Sequence, residues 1–334
     1  MWTVLVTDHP APATDVEEAV LAAVDARLLI SETGSEDDLV RLAPEADAIL
    51  TCFAQVTPAV IRAAPKVQVV GRYGVGVDNI AVETATGLGV VVTNVPVYCV
   101  DEVAEHVLAM YLALARRITR YDRQIRLGNW SIETGMPIHR IAGSVLGIVG
   151  FGRIGRAVAD RARGLGMQVL AYDPVLDSKV GDPAGATMVD LETLLARADA
   201  VTLHTPLTPE TYHLIDERRL GLMKPSAFLL NASRGGVIDL DALEAALLAG
   251  VLAGAGLDVF EPERLAEGHP LLQLESVVAT PHVAFYSEES INDLERLAAH
   301  NVATVLSGGL PDSIVNPSVL GLDRWKARRQ AAST

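Results

Sequence analysis

The stretch Leu146-Gly-Ile-Val-Gly150-Phe-Gly152-Arg-Ile-Gly155-Arg decides the fold of this chain of 334 residues. Its apolar first half predicts a buried β-strand, and its glycines stand where a helical pattern begins. In such a turn the first glycine permits the sharp bend, the second lets backbone N–H groups approach a pyrophosphate, and the third lets the helix pack closely. The partial positive charge at the helix N-terminus favours a phosphate there. The stretch Gly150-x-Gly152-x-x-Gly155 therefore predicts a dinucleotide-binding α/β domain.

The next predicted strand, Val169-Leu-Ala-Tyr-Asp173, ends in an acidic residue. A carboxylate at this position accepts hydrogen bonds from both hydroxyls of the adenosine ribose and repels a 2′-phosphate. Asp173 therefore indicates NAD as the cofactor and disfavours an NADP-linked reductase. A second glycine run, Gly71-x-x-Gly74-x-Gly76, has a different spacing and no such acid after it, so it does not predict a second dinucleotide site.

Outward from the glycine turn, short apolar segments alternate with helical patterns along most of the chain. This alternation is typical of parallel sheets with helices on both faces. Strands are predicted near residues 4–6, 48–50, 67–70 and 90–92, and again near 144–149, 168–171, 200–203, 227–230, 254–258 and 276–279. We therefore predict an α/β protein with two Rossmann-like or flavodoxin-like parallel-sheet domains.

Composition excludes several classes of function. The chain carries 27 Lys and Arg against 42 Asp and Glu, a formal net charge of −15, and no basic block, so nucleic acid and anionic membranes are not expected partners. No apolar run approaches the roughly 20 residues that a membrane-spanning helix needs. Only 2 cysteines are present and no Cys-x-x-Cys, which excludes a disulfide framework and a zinc ribbon. We expect a cytoplasmic protein that uses no metal.

Three motifs follow the later predicted strands, at the sheet edge where ligands bind in open α/β folds. They are Asn231-Ala-Ser-Arg234, Asp258-Val-Phe-Glu-Pro-Glu263 and Thr280-Pro-His282. Alone, each has an ordinary structural explanation: a surface cation, a solvated acid and a turn histidine. Together they supply a planar fork for a carboxylate, a group that exchanges a proton near neutral pH, and a carboxylate that orients it. After a dinucleotide turn, this set predicts hydride transfer to and from a small 2-oxo or 2-hydroxy acid.

From about Ala48 to Pro317 the sequence resembles the D-isomer-specific 2-hydroxyacid dehydrogenases. The resemblance rests on Gly71-Arg-Tyr-Gly-Val-Gly-Val-Asp-Asn, the glycine turn with Asp173, His204-Thr-Pro-Leu-Thr and the three motifs above. It implies catalytic roles for Arg234, Glu263 and His282. It also implies an NAD-binding domain at 100–286, a discontinuous substrate-binding domain at 1–99 plus 287–334, and an active site in the cleft between them.

The resemblance also implies which residues contact the cofactor and the substrate. Around the cofactor it implies Val75, Gly150, Gly152, Arg153, Ile154, Gly155, Asp173, Thr205, Pro206, Thr211, Ala232, Ser233, Asp258, His282 and Phe285. Around the substrate it implies Tyr73, Val75, Gly76, Arg234 and His282. Arg153 and Ile154 would contact the pyrophosphate, Thr205 through Thr211 the adenine side, and Asp258 the nicotinamide carboxamide.

Two alternatives stay open. The segment His282-Val-Ala-Phe285-Tyr resembles the C-terminal-binding-protein corepressor branch, so an NAD(H)-sensing binding protein with little or no turnover is the alternative to an enzyme. The family also implies a homodimer through the cofactor domains, by a long helix from Asp101 and by residues 124–142. The apolar face of that helix could equally be buried within one chain.

Overall fold

The computed structural model describes residues 1–11, 13–176, 185–323, 325 and 326. The chain divides into two compact units, residues 1–99 with 287–334 and residues 100–286. Residues 327–334, at the end of the predicted substrate-binding domain, lie outside the described part. Within the described residues, no helix is both long enough and apolar enough to span a bilayer.

The first unit begins with strands and short helices in strict alternation. In chain order they are β1 (Trp2–Val6), α1 (Asp15–Leu21), β2 (Ala26–Ile30), α2 (Glu36–Leu42), β3 (Ala48–Thr51), α3 (Pro58–Arg62), β4 (Val69–Arg72), α4 (Val82–Gly87) and β5 (Val91–Thr93). Side-chain hydroxyls start two of these helices, since Ser35 accepts from the backbone of Asp38 and Thr57 from that of Val60. The strands form a parallel sheet in the order β2-β1-β3-β4-β5.

The second unit is larger and holds the glycine turn. Its helices and strands are α5 (Val100–Ala115), α6 (Ile118–Arg126), β6 (Val145–Val149), α7 (Arg153–Gly164), β7 (Gln168–Tyr172), β8 (Thr187–Met188), α8 (Leu191–Arg197), β9 (Ala200–Leu203), α9 (Glu217–Leu220), β10 (Phe228–Asn231), α10 (Leu240–Leu248), β11 (Gly254–Leu257), α11 (Pro270–Gln273) and β12 (Val277–Ala279). The parallel sheet runs β12-β11-β10-β9-β6-β7-β8. The strand order reverses between β6 and β9, and ligands bind at such a switch point in open α/β sheets.

The chain returns to the first unit through α12 (Glu288–Leu306). Ser287 and Ser290 form a reciprocal capping box that fixes the start of this helix. Its apolar side chains pack on β3 and β4 and against α1, in one core with Leu50, Val69 and the buried Trp325. The tail thereby completes the fold of the N-terminal segment.

Helix α5 settles one of the alternatives that the sequence left open. Its buried side chains include Val103, Val107, Met110 and Leu114, and the helix packs on α7, β10 and β11 of the same unit. The apolar face of α5 is therefore covered within one chain.

The structure confirms the predicted fold class of two parallel-sheet α/β domains. Strand boundaries differ from the prediction by one or two residues at most sites. Two strands were not predicted: β2, whose charged Arg27 interrupts the apolar pattern, and β8, which has only two residues.

Candidate active site

The glycine turn connects β6 to α7 in a conformation that excludes other residues. Gly150 has a φ of +91°, and a Cβ at this position would lie 2.6 Å from the carbonyl oxygen of His204. His204 directly follows β9, so the turn lies against the neighbouring strand at the switch point. The chain can pass this point only with glycine.

The other two glycines shape the start of α7. A Cβ at Gly155 would lie 2.3 Å from the carbonyl oxygen of Gly150, which lets the helix approach the turn closely. Gly152 is the N-cap residue and has no side chain to bind the first helical N–H groups, those of Arg153 and Ile154. Exposed N–H groups at the end of a 12-residue helix are the groups that hold a phosphate.

Asp173 is held beside this turn. Its Oδ2 accepts a hydrogen bond from the backbone N–H of Phe151 at 2.9 Å, and its Oδ1 accepts one from Val175 at 3.0 Å. Each oxygen retains capacity for a second donor. The carboxylate is therefore fixed at the end of β7 with acceptor sites for a diol.

The segment after β9 folds into a tight turn through its own hydroxyls. Thr211 Oγ1 accepts from the backbone of Thr208 at 2.8 Å and donates to the carbonyl of Pro206 at 2.6 Å. Thr205 is buried, and its hydroxyl has no hydrogen-bond partner among the described residues. The Thr211 side chain shapes this predicted adenine-side segment.

Asn231 organises the loop that presents Arg234. Its side-chain amide donates to the Arg234 carbonyl at 2.8 Å, and its Oδ1 accepts from the backbone and the hydroxyl of Ser233 at 3.0 and 2.8 Å. Nη1 of Arg234 donates to the Ser233 carbonyl at 2.8 Å. Asn231 is only 1% exposed, and its supporting role was not predicted although it opens the motif. Ala232 is half-buried in this loop.

The Asp258 carboxylate fastens the chain after β12. Its Oδ1 accepts from the Thr280 hydroxyl at 2.5 Å and from the backbone of Val283 at 2.9 Å, and its Oδ2 accepts from the backbone of Ala284 at 2.9 Å. The His282 N–H donates to the Asp258 carbonyl at 2.7 Å. In the structure these bonds hold the loop of His282, and the predicted contact of Asp258 with the nicotinamide carboxamide stays a prediction.

His106 on α5 joins the same network. Its Nε2 lies 3.0 Å from the Thr280 hydroxyl and 3.7 Å from Asp258 Oδ1. His106 could not be predicted as part of the site, because nothing in a helical apolar pattern shows that one of its polar residues faces a strand end.

His282 and Glu263 form a close pair. His282 Nδ1 lies 2.5 Å from Glu263 Oε1, and the side chains are 23% and 56% exposed. His282 has a φ of +55°, in the left-handed region, which the Asp258 bonds stabilise. The Phe285 ring meets the imidazole edge-on, with the ring centroids 6.2 Å apart.

Three neighbouring strand ends bring the predicted catalytic residues to one edge. Arg234 follows β10, Glu263 follows β11 and His282 follows β12, and these strands are consecutive in the parallel sheet. A Cβ at Gly235 would lie 2.0 Å from the backbone carbon of Phe260, so the loops that carry Arg234 and Glu263 are in direct backbone contact. A guanidinium and a carboxylate–imidazole pair therefore share one end of the second unit.

The residues predicted to bind substrate from the first unit follow β4. Val75 is 39% exposed, and its carbonyl accepts from Asn94 Nδ2 at 2.6 Å. Gly76 is half-buried. The Tyr73 side chain is 1% exposed and packs in the core of this unit. It offers no exposed surface to a substrate, so the predicted substrate contact of Tyr73 does not fit the structure.

Comparison with known proteins shows the family of this chain. Residues 108–284 match the family described as "D-isomer specific 2-hydroxyacid dehydrogenase, NAD binding domain". A glyoxylate reductase from Thermococcus litoralis is 43% identical over 283 residues, covering 83% of this chain and 85% of the relative. The chain belongs to the D-isomer-specific 2-hydroxyacid dehydrogenase family. As a member of this family it is an oxidoreductase with an NAD-binding domain.

Other relatives in the family agree in fold and in class. A D-3-phosphoglycerate dehydrogenase from Archaeoglobus fulgidus is 39% identical over 85% of this chain and 54% of its own length. The solved D-lactate dehydrogenase of Aquifex aeolicus, in complex with NAD and lactic acid, superposes with a TM-score of 0.86 at 28% identity, covering 94% of this chain and 99% of that one. These relatives are a reductase and dehydrogenases, and they lend no support to the corepressor alternative.

Proposed function

We propose that this dehydrogenase transfers a hydride reversibly between NAD(H) and a small D-2-hydroxy acid or the corresponding 2-oxo acid. The observation that carries the proposal is the 2.5 Å contact between His282 and Glu263 beside the loop of Arg234. A carbonyl reduction needs a proton donor, a cation for the substrate carboxylate and a hydride source, and the second unit offers a place for each.

The dinucleotide fits the glycine turn. The N–H groups of Arg153 and Ile154 would hold the pyrophosphate, and Asp173 would accept from both ribose hydroxyls. The Asp173 carboxylate would also repel a 2′-phosphate, which favours NAD over NADP. When bound, the nicotinamide ring supplies or accepts the hydride.

His282 acts as the acid and base. During reduction a C–H bond forms at C2, the carbonyl electron pair moves to the oxygen, and Nε2 of His282 gives that oxygen its proton. During oxidation Nε2 takes the proton from the hydroxyl. Glu263 accepts a hydrogen bond from Nδ1, which fixes the orientation of the ring.

Arg234 positions the acid. Its planar guanidinium can bind the carboxylate by two hydrogen bonds and polarise the adjacent carbonyl. Asn231 holds the loop backbone on both sides of this side chain, so the fork keeps one orientation. Fixed orientation of C2 toward the cofactor accounts for a large part of the rate in such a reaction.

We infer that the substrate is a small 2-oxo acid of the glyoxylate class. Support comes from the 43% identity to a protein named glyoxylate reductase and from the Phe285 ring packed against the imidazole of His282. The aromatic ring occupies space beside the proton donor, which favours short substrates. No basic cluster for a phosphate was found in the sequence near Cys52, which disfavours phosphoglycerate.

The test is oxidation of NADH and NADPH with a panel of 2-oxo acids of increasing size. We expect NADH to exceed NADPH, and glyoxylate to exceed longer acids, in kcat/KM. Arg234→Ala and His282→Ala should each lower kcat/KM by about 10²–10⁴-fold, the usual range for a lost clamp or acid–base group.

Two exposed residues give matched controls. Arg264→Ala removes a neighbouring cation and His300→Ala an exposed imidazole on α12, and both should retain wild-type kinetics. Wild-type turnover in the Arg234 or His282 variant would refute the roles proposed here. Tight NADH binding without turnover of any 2-oxo acid would refute the reaction itself.

We also propose a homodimer formed through the second unit. Support comes from exposed apolar side chains around α6 and after it: Ile118, Leu127, Trp130, Ile132 and Met136, which are 57–81% exposed. Large exposed apolar side chains concentrated in one segment are typical of a protein interface. Light scattering should give twice the chain mass, and Trp130→Ser should shift the protein toward monomer.

A further inference from the structure

Three side chains from distant parts of the sequence meet inside the first unit. His9 follows β1, Glu17 lies on α1 and Glu295 lies on α12. His9 Nε2 lies 2.6 Å from Glu17 Oε1 and 4.0 Å from Glu295 Oε1. One nitrogen and two carboxylate oxygens thus lie within 4.8 Å of one another. None of them belongs to the proposed dehydrogenase chemistry.

The two carboxylates are deeply buried. Glu17 is 0% exposed and Glu295 is 4% exposed. Glu17 Oε2 and Glu295 Oε1 have no hydrogen-bond partner within the ranges that the structure describes. A buried carboxylate is stable only when a cation or several donors compensate for its lost hydration. A single imidazolium would leave this pair of acids one charge short.

His9 can present one ring nitrogen to a metal ion while the other is held by the backbone. Its Nδ1 lies 2.5 Å from the carbonyl oxygen of Ala11, and two acceptors approach this closely only with a proton between them. By the same argument a proton lies between Nε2 and Glu17 Oε1, which are 2.6 Å apart, and a metal ion bound by Nε2 would replace that proton. Metal-binding histidines are oriented in this way, with the second nitrogen donating to a backbone carbonyl.

A fourth oxygen points to the same place. Tyr73 is 1% exposed, its ring packs edge-on against His9 with centroids 5.4 Å apart, and its hydroxyl has no hydrogen-bond partner in the described chain. The charges of Glu17 and Glu295 reach this hydroxyl. The hydroxyl therefore faces the same cluster as the two carboxylates.

We propose that His9, Glu17 and Glu295 bind one divalent first-row metal ion, with the Tyr73 hydroxyl beside it. Mixed nitrogen and oxygen ligands in a small set suit Zn²⁺ better than Mg²⁺ or Ca²⁺, which prefer more oxygens.

The three ligand atoms would need to move little to bind a zinc ion. With Zn–N and Zn–O bonds of about 2.0–2.2 Å in tetrahedral geometry, ligand atoms lie roughly 3.3 Å apart. The His9 contacts of 2.6 and 4.0 Å bracket this value. The ion would tie the loop after β1 and helix α1 to helix α12, and so join the tail of the chain to its N-terminal segment.

The experiment is a metal titration of the intact chain after removal of metals with a chelator. ZnCl₂ binding is measured by calorimetry and CoCl₂ binding by visible absorption, each with thermal unfolding in parallel. We expect one ion per chain and a higher unfolding temperature when it is bound. Glu295→Gln should weaken binding by at least about 100-fold, since it removes a ligand rather than an outer-shell partner.

Glu289→Gln is the matched control, because Glu289 is an exposed acid on the same helix and its loss should leave binding unchanged. If Glu295→Gln fails to fold, His9→Asn carries the same expectation at a more exposed position. Absence of stoichiometric Zn²⁺ and Co²⁺ binding to the wild-type chain would overturn the proposal and indicate a shared proton instead. Binding that survives both substitutions would overturn it as well.

Discussion

His204 follows β9. We predict that the buried, neutral state of its imidazole makes the folded chain lose stability on mild acidification. Burial lowers its pKa from 6.5 to about 4, and its Nε2 lies 3.0 Å from the hydroxyl of the buried Thr202. The imidazole is therefore neutral in the folded chain over a pH range in which it takes up a proton after unfolding. Because the unfolded state binds more protons there, stability rises with pH and falls on acidification.

The magnitude follows from the two pKa values. Full stability is present above the unfolded pKa of 6.5 and is lost progressively toward the folded value of about 4. Each pH unit inside this window costs about 1.4 kcal/mol. Between about pH 7.5 and about pH 5, His204 alone removes about 2 kcal/mol, an upper limit because its side chain is partly exposed.

The assay compares wild type with His204→Gln, which retains a polar group near Nε2. Urea unfolding is followed by circular dichroism at both pH values, and the difference between the two proteins cancels every titration that they share. We expect the wild type to lose about 2 kcal/mol more than the variant on acidification. The exposed His300→Gln should behave as wild type, and equal losses in wild type and His204→Gln would refute the argument.

Three further outcomes follow from the packing of single residues. Gly155→Ala places a methyl group 2.3 Å from a carbonyl oxygen of the glycine turn, so it should weaken NADH binding by at least about tenfold in a fluorescence titration. Gly164→Ala is the control, because its methyl group meets nothing within 4 Å in the described chain. Equal affinities of the two variants for NADH would contradict the close approach of α7 to the turn. Burial raises the pKa of the Cys52 thiol to about 12, so peptide mass spectrometry should find it unmodified by iodoacetamide near neutral pH until the chain unfolds, and rapid labelling of the native chain would contradict this. Asp258→Asn turns an amide donor toward backbone N–H groups, so it should lower the free energy of unfolding by about 1–3 kcal/mol, as measured by thermal unfolding. It should also lower kcat, because the loop of His282 is displaced. An unchanged kcat would show that other contacts hold this loop.

The strands that could be predicted from the sequence are those whose own residues favour a buried strand. Segments such as Val69–Arg72 and Val145–Val149 are buried on both faces and consist mainly of β-branched or apolar residues. Strand β2, Ala-Arg-Leu-Leu-Ile, has good helix formers and a half-exposed surface, and it becomes a strand by pairing along its whole length with β1. Tertiary pairing of this kind leaves no periodic signal in a local window.

The chemical groups of the site could be predicted because each lies in a short motif at a strand end. Their supports could not, because they depend on side-chain direction and long-range contact. Asn231 and His106 become part of the site only through the loop and helix that they touch. Tyr73 directly follows β4 in a glycine-containing loop, and its ring turns into the core toward His9. The sequence predicts no metal ligands, since His9, Glu17 and Glu295 meet only when α1 and α12 pack.

The hydrogen bonds of Asp258 make the position of His282 independent of the side chains that shape the space beside it. They position the imidazole of His282 through the main chain of Val283 and Ala284, without using the side chains of the residues that follow it. A substitution at Phe285 can therefore reshape the proposed substrate space while the proposed proton donor, His282, keeps its place. Within one scaffold, selectivity can diversify during evolution without a change in reaction chemistry.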